Sequence, residues 1–148
     1  MADSVTELLL RLQTDVLEAV ARGETLRDVA LTLCHRVESC APEVICSILL
    51  LDDNGVLHPL AAPSLPVECT AVAEGVHIGP SAGSCGTAAW RNEEVIADIA
   101  TDPIWADYKH LFLQRGLKAC WSSPIRNREG RVVATFAFYY RTSRGPSA

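Results

Sequence analysis

Several functional classes are excluded by what this chain lacks. It has no apolar run near the roughly 18 residues that cross a bilayer, and no basic stretch precedes the leucines of MADSVTELLLRLQ. A membrane span and a secretory leader are therefore not expected, and the chain reads as cytoplasmic. Positive charge is scarce: 13 Lys and Arg stand against 18 Asp and Glu, a net charge of −5. That balance disfavours a nucleic-acid partner, because phosphate binding needs clustered cations. The basic cluster Arg126, Arg128 and Arg131 surrounds Glu129 and Gly130, as in a polar turn. No CxxC pair occurs, and no Cys-His spacing suits a zinc site. The glycine-rich stretch at 79–86 lacks the GKS or GKT ending of a nucleotide-binding loop. The six cysteines (Cys34, Cys40, Cys46, Cys69, Cys85, Cys120) read mainly as buried free thiols of a reducing compartment.

What is present is enough for one well-cored domain: 148 residues, 49% of them hydrophobic. Leu8, Leu9, Leu12, Val16 and Val20 form one helical stripe over residues 4–20, widened by Leu10 and Leu17. After Gly23, TLRD at 25–28 has the spacing of a capping box, and Leu26, Val29, Ala30, Leu33, Cys34 and Val37 predict a second helix. Pro42 stops it. EVICSILLLDD predicts a strand buried on both faces, DDNG a turn with positive φ, and VLHPLAA a returning strand whose Pro59 argues for an edge. Residues 62–82 read as irregular apart from a short VHI strand at 76–78. A short helix over 83–91 follows, then the strand EVIADI. A helix from Pro103 to about Gln114 comes next, capped by Thr101 or Asp102 and ended by Gly116. LKACWSSPI, RNREGR and RVVATFAFYYR predict a closing hairpin. Alternation in its last strand puts Val132, Ala134, Phe136 and Phe138 on one face and Val133, Thr135, Ala137 and Tyr139 on the other. The order implies an α+β domain with an antiparallel sheet.

IGPSAGSCGTAAWRNEEVIADIATDPIWADY, followed by GLKACWSSPIRNREGRVVATFAFYY, resembles a GAF domain. It is similar in particular to those joined to diguanylate cyclase, phosphodiesterase or histidine kinase modules in bacterial signalling proteins. The resemblance runs over about 24–141. It implies a six-stranded antiparallel sheet with helices on one face and a ligand-pocket roof on the other. It also implies a division into an N-terminal signalling helix (1–22), the GAF domain (23–142) and a tail (143–148). Such domains continue into a C-terminal helix and an output domain, so this chain is expected to be a piece of a larger sensor, with a short stand-alone relative as the alternative. A homodimer through the N-terminal helix is expected with it.

Carried onto this sequence, the resemblance gives candidate ligand-binding residues. They are Ser81, Ser84, Cys85 and Thr87 at the short helix, and Asp98 with Ile99 after the fourth strand. Trp105 and Tyr108 follow on the covering helix, and Cys120, Trp121 and Ser123 on the fifth strand. Rigid aromatics and small hydroxyls suit a small planar or amphipathic ligand. Both tryptophans equally fit ordinary packing, Asp98 a loop cap, and Thr87 a bond to the turn above it. Among GAF proteins, free methionine-(R)-sulfoxide reductases share a segment like GSCGTA. Their attacking cysteine falls where this chain reads TDPIWADY, without one. The expectation is a non-enzymatic, small-molecule-sensing module, with cyclic-di-GMP signalling or a sensor kinase as its setting. The alternatives are a ligand-free dimerisation module, a thiol redox sensor using Cys85 and Cys120, or an enzyme like the free methionine sulfoxide reductases. A haem would need His77 or His110 as its axial ligand; no metal ligand set is otherwise visible.

Overall fold

A computed structural model describes residues 25–142. The helix expected over 4–20, the dimerisation assigned to it and the tail 143–148 lie outside the described residues. Helix α1 spans Leu26–Cys40. Thr25 Oγ1 accepts a hydrogen bond from the Asp28 amide (3.1 Å), satisfying one free N–H of the first turn. Val29, Ala30, Cys34 and Val37 are buried, as their spacing predicts.

The strands are β1 (Val44–Leu51), β2 (Val56–Ala61), β3 (Val76–His77), β4 (Val95–Asp98), β5 (Ala119–Arg126) and β6 (Val132–Tyr140). They form one antiparallel sheet in the order β3-β2-β1-β6-β5-β4. Two hairpins close with the same device. Asp52 Oδ1 accepts from the amides of Asn54 and Val56, and Gly55 takes a φ of +78°. Asn127 Oδ1 accepts from the amides of Glu129 and Arg131, and Gly130 takes a φ of +82°. The left-handed φ requires the glycine, and the side-chain oxygen fixes the turn.

Three expectations need correction. Pro59 does not mark an edge strand: β2 lies inside the order, next to β3. But β3 pairs only with Val56 and Leu57, so β2 is unpaired on that side at Pro59, where a missing N–H costs no ladder bond. The segment 62–82 is not wholly irregular, since α2 (Val67–Ala73) crosses it. Two turns are too short to show a period, and only Cys69 of that helix is buried. The helix expected over 103–114 is broken into a 3-10 turn (Pro103–Trp105) and α4 (Lys109–Gln114). Asp102 caps the turn through Ile104 N, with Pro103 in its first position. The break turns the Trp105 ring edge-on to Phe112, with centroids 4.8 Å apart. The remaining helix, α3 (Gly83–Arg91), has the predicted bounds.

The sheet separates two apolar clusters. On one face α1 packs Ala30, Cys34 and Val37 onto Cys46, Ile48, Trp121, Phe136 and Phe138. On the other, α2, α3, the 3-10 turn and α4 cover Ile45, Leu49, Ala97, Cys120, Ala137 and Tyr139. The alternation read in β6 thus sorts its phenylalanines and its small residues correctly.

Candidate functional site

Between the sheet and its second layer lies a cavity of about 40 Å³. Leu49, Leu57 and Tyr139 line it from the sheet, Val72 and Ala73 from α2, and Gly83 to Gly86 from α3. Trp105, Tyr108 and Phe112 close it, and no lining side chain is charged. Outside it lies an open depression of about 540 Å³, reaching from Val72 and Glu74 past His77 to Pro80 and Ser81. The two share Val72, Val76, Ala82 and Tyr108, which form the boundary between them.

Local chemistry seats α3 at this place. Gly83 starts the helix at a φ of +68°, which a side-chain-bearing residue rarely adopts. At Gly86 a Cβ would come within 2.5 Å of Ala82 Cβ, so glycine lets the 80–82 turn lie flat on the helix. Thr87 Oγ1 then holds that turn by accepting from the Ala82 amide (3.1 Å).

A polar relay crosses the floor. Trp105 Nε1 donates to Ser84 Oγ (2.9 Å), and Ser84 Oγ donates to the Cys120 carbonyl (3.2 Å). Cys85 Sγ lies 3.0 Å from Ser122 Oγ, and Cys120 Sγ lies 3.8 Å from the same oxygen. Nearby, the hydroxyls of Ser47 and Thr135 are buried without a hydrogen bond of good geometry, although Thr135 lies close enough to act on the Cys85 thiol and Ser47 on the Tyr139 hydroxyl. The Cys85 thiol is pulled down to about 7, chiefly by a hydrogen bond from Cys120, with Ser122, Thr135 and Tyr139 adding to it against the effect of burial. Burial, followed by Cys85, pushes the Cys120 thiol well up. Burial also raises Tyr139, with the two thiols adding to it. A hydrogen-bonded sulfur of lowered pKa is the form that attacks electrophiles.

The sequence candidates divide accordingly. Ser84, Cys85, Trp105 and Tyr108 line the cavity, and Cys120 lies beneath it beside Cys85. Ser81 is exposed on the outer depression. Thr87 is engaged by the turn, and Asp98 caps its loop by accepting from the Ala100 amide (3.0 Å). Trp121 and Ser123 are corrected. Trp121 packs tilted against Phe138 (4.7 Å) on the α1 face, and Ser123 pairs with Phe136 on that same face. Period two explains both: if Cys120 faces the cavity, so does Ser122, and its neighbours face away. Ser122 is thus the residue missed on β5, and Thr135 and Ser47 were missed on β6 and β1. Neither histidine considered as a haem ligand lines the inner cavity. His77 stands at the outer depression, His110 lines neither space, and neither imidazole reaches the inner cavity. No cluster of three or more His, Cys, Asp or Glu among the described residues could hold a metal. No helix among the described residues is long and apolar enough to cross a membrane.

A family model described as "GAF domain" matches residues 23–148. The chain belongs to the GAF domain family. A methyl sulfide methyltransferase-associated sensor from Methanosarcina acetivorans is 34% identical over 142 residues, which is 95% of this chain. The chain spans only 14% of that relative's length. Among solved structures, one similar fold is a domain of a protein described as a two-component sensor histidine kinase from Sinorhizobium meliloti. It has a TM-score of 0.65 at 17% identity, over 84% of this chain and 78% of that one. Another is the type II free methionine-R-sulfoxide reductase from Thermoplasma acidophilum. It has a TM-score of 0.64 at 17% identity, over 79% of this chain and 75% of that one. Both share the fold of this chain, one a domain of a sensor and the other a reductase.

Proposed function

We propose that this GAF domain is a regulatory module that senses a small molecule, and that it serves a larger sensor protein. The observation that carries this reading is the small inner cavity joined to a wide outer depression across Val72, Val76, Ala82 and Tyr108. Ligand sites usually occupy several hundred Å³. The inner space alone admits a few water-sized molecules. A larger ligand sits in the depression and enters by displacing Tyr108 and the end of α2. Those are short elements on the sheet's periphery, cheap to move relative to the core. Ligand binding then selects the displaced arrangement and shifts its population. The name of the Methanosarcina relative supports a sensor setting.

The lining of the inner cavity favours an uncharged, partly apolar ligand, with Ser84, Tyr108 and the Cys85 thiol as polar contacts. Native mass spectrometry of gently purified protein, with thermal shifts against a metabolite panel, tests the reading. The expected result is a bound small molecule or a stabilising metabolite whose effect is lost in Tyr108→Ala. No adduct and no shift in the wild-type protein would leave the domain a ligand-free module.

A further inference from the structure

The sheet buries two neighbouring pairs of thiols, and they differ in surroundings. Cys34 and Cys46 lie under α1 among Val37, Phe136 and Phe138, where burial raises Cys46. Cys85 and Cys120 lie on the opposite face, with both sulfurs near Ser122 Oγ. Cys85 also lines the 40 Å³ cavity. We propose that Cys85 and Cys120 form a peroxide-responsive thiol pair that hydrogen peroxide converts to a disulfide across the cavity floor.

Four observations carry this. First, α3 sits directly on β5 at the second cysteine, since Ser84, the neighbour of Cys85, donates to the Cys120 carbonyl. That contact holds the start of α3 against β5, and both sulfurs converge on Ser122 Oγ, within 3.0 and 3.8 Å. Second, the cavity beside Cys85 is sized for water-like molecules, and hydrogen peroxide is such a molecule. Third, Thr135 Oγ1 is fully buried beside Cys85 without a hydrogen bond of good geometry. A sulfenic oxygen on Cys85 is a stronger acceptor than the thiol for this hydroxyl, and the Ser122 hydroxyl serves as a second donor. Fourth, the titratable groups around Cys85 are Cys120 and Tyr139, with Tyr108 on the cavity wall. No lining carboxylate opposes a thiolate there.

The chemistry balances in two steps. The Cys85 sulfur attacks one peroxide oxygen, so an S–O bond forms while O–O breaks. The departing hydroxide takes the thiol proton and leaves as water. Cys120 Sγ then attacks the Cys85 sulfenic acid, forming S–S and breaking S–O. The second hydroxide takes the Cys120 proton and leaves as water. The thiol pair loses two electrons and the peroxide gains them. The new bond ties α3 to β5 beside Ser84, whose hydroxyl holds Trp105. Oxidation is thereby read out in the 3-10 turn that closes the cavity. The inference uses the same cavity as the sensing proposal but needs no bound metabolite, so either stands if the other fails.

The test treats the reduced full chain with hydrogen peroxide, blocks remaining thiols under denaturing conditions, and maps peptides without reduction. The expected product is a Cys85–Cys120 linked peptide, with Cys34 and Cys46 still alkylated. In Cys120→Ala, dimedone traps a sulfenic acid at Cys85. Ser122→Ala retains both thiols and slows the reaction about five- to tenfold, the scale of one lost hydrogen bond. Cumene hydroperoxide, too large for the cavity, reacts more slowly than hydrogen peroxide. Circular dichroism melts check that each variant folds, and the wild-type peptide map stands without them. Reduced Cys85 and Cys120 after treatment would overturn the proposal. So would equal oxidation of Cys34 and Cys46, the sign of reaction through unfolding.

Discussion

The two faces of this sheet carry the same number of paired thiols and use them differently. On the α1 face, Cys34 and Cys46 sit fully buried among aromatic rings, and the Cys34 thiol points at the Ala61 carbonyl. They behave as small hydrophobes. On the cavity face, Cys85 and Cys120 sit among Ser84, Ser122, Ser47, Thr135 and Tyr139. Burying two hydroxyls without well-formed hydrogen bonds destabilises a fold by roughly 1–3 kcal/mol each. A face made only for packing would carry alanine or valine there. The α1 face also buries one polar atom without a partner, Trp121 Nε1; what sets the cavity face apart is the group of hydroxyls around its thiols and the space beside Cys85.

The largest expected effect tests the packing side. Phe138→Ala removes a ring packed tilted against Trp121 (4.7 Å) and edge-on to Phe136 (5.2 Å). Urea denaturation should show a loss of about 3–5 kcal/mol. Once corrected for unfolding, Cys85 reactivity should stay unchanged. A loss below about 1 kcal/mol would remove the α1 face from the core.

Gly86→Ala attacks the boundary between cavity and solvent. The added methyl meets Ala82 Cβ at 2.5 Å and lifts the 80–82 turn. Stability should fall by about 1–3 kcal/mol, the range for overpacking, while alkylation of Cys85 accelerates. Slower alkylation at reduced stability would show that the turn does not guard the thiol.

Thr135→Val sharpens the contrast in the opposite direction. It deletes a buried hydroxyl that lacks a hydrogen bond of good geometry, at nearly constant shape. A gain of about 1 kcal/mol in denaturation, together with slower peroxide oxidation, is expected. A clear loss of stability would mean that the hydroxyl is satisfied in solution and is structural.

The smallest effect lies on the surface beside the outer depression. His58 bridges Asp52 (2.8 Å) and Glu74 (2.5 Å), tying the β1–β2 turn to the end of α2. Asp52 first and Glu74 second raise the imidazole above its usual 6.5. Its contribution is complete below that pH and is lost as pH rises through the raised value. Asp52 is lowered below 3.8, chiefly by His58, so its share is present above 3.8 and is lost as pH falls through the lowered value. The melting temperature of His58→Gln should therefore trail the wild type most between pH 3.8 and 6.5, and converge with it above. A gap independent of pH would show that the charges do not matter.

Much of this arrangement was legible in the sequence. Wherever period or turn chemistry ran long enough, as in α1, β6, DDNG and NREG, the reading held. The family resemblance supplied the sheet topology, which alternation alone does not. Failures followed short or broken patterns. VECTAVA is two turns long, and its docking against the sheet edge is a tertiary matter. The 3-10 break after Trp105 follows from where Phe112 must pack. At the site, residue type outweighed register: Trp121 attracted attention as an aromatic, while period two assigned that place to Ser122. Thr135 looked like one of several alternating positions in a strand, and only its lack of a well-formed hydrogen bond distinguishes it.

The central claim is that the cavity face opens in the native state and the α1 face does not. Cys85 and Cys34 test it side by side, because both are buried in one sheet. The measurement is the alkylation rate of each thiol in the folded protein, followed by peptide mapping against pH and compared with the global unfolding rate. The account predicts that Cys85 reacts faster than the protein unfolds, with a rate rising through a pH of about 7. Cys34 should react only at the unfolding rate. Equal rates for the two, both set by global unfolding, would contradict it.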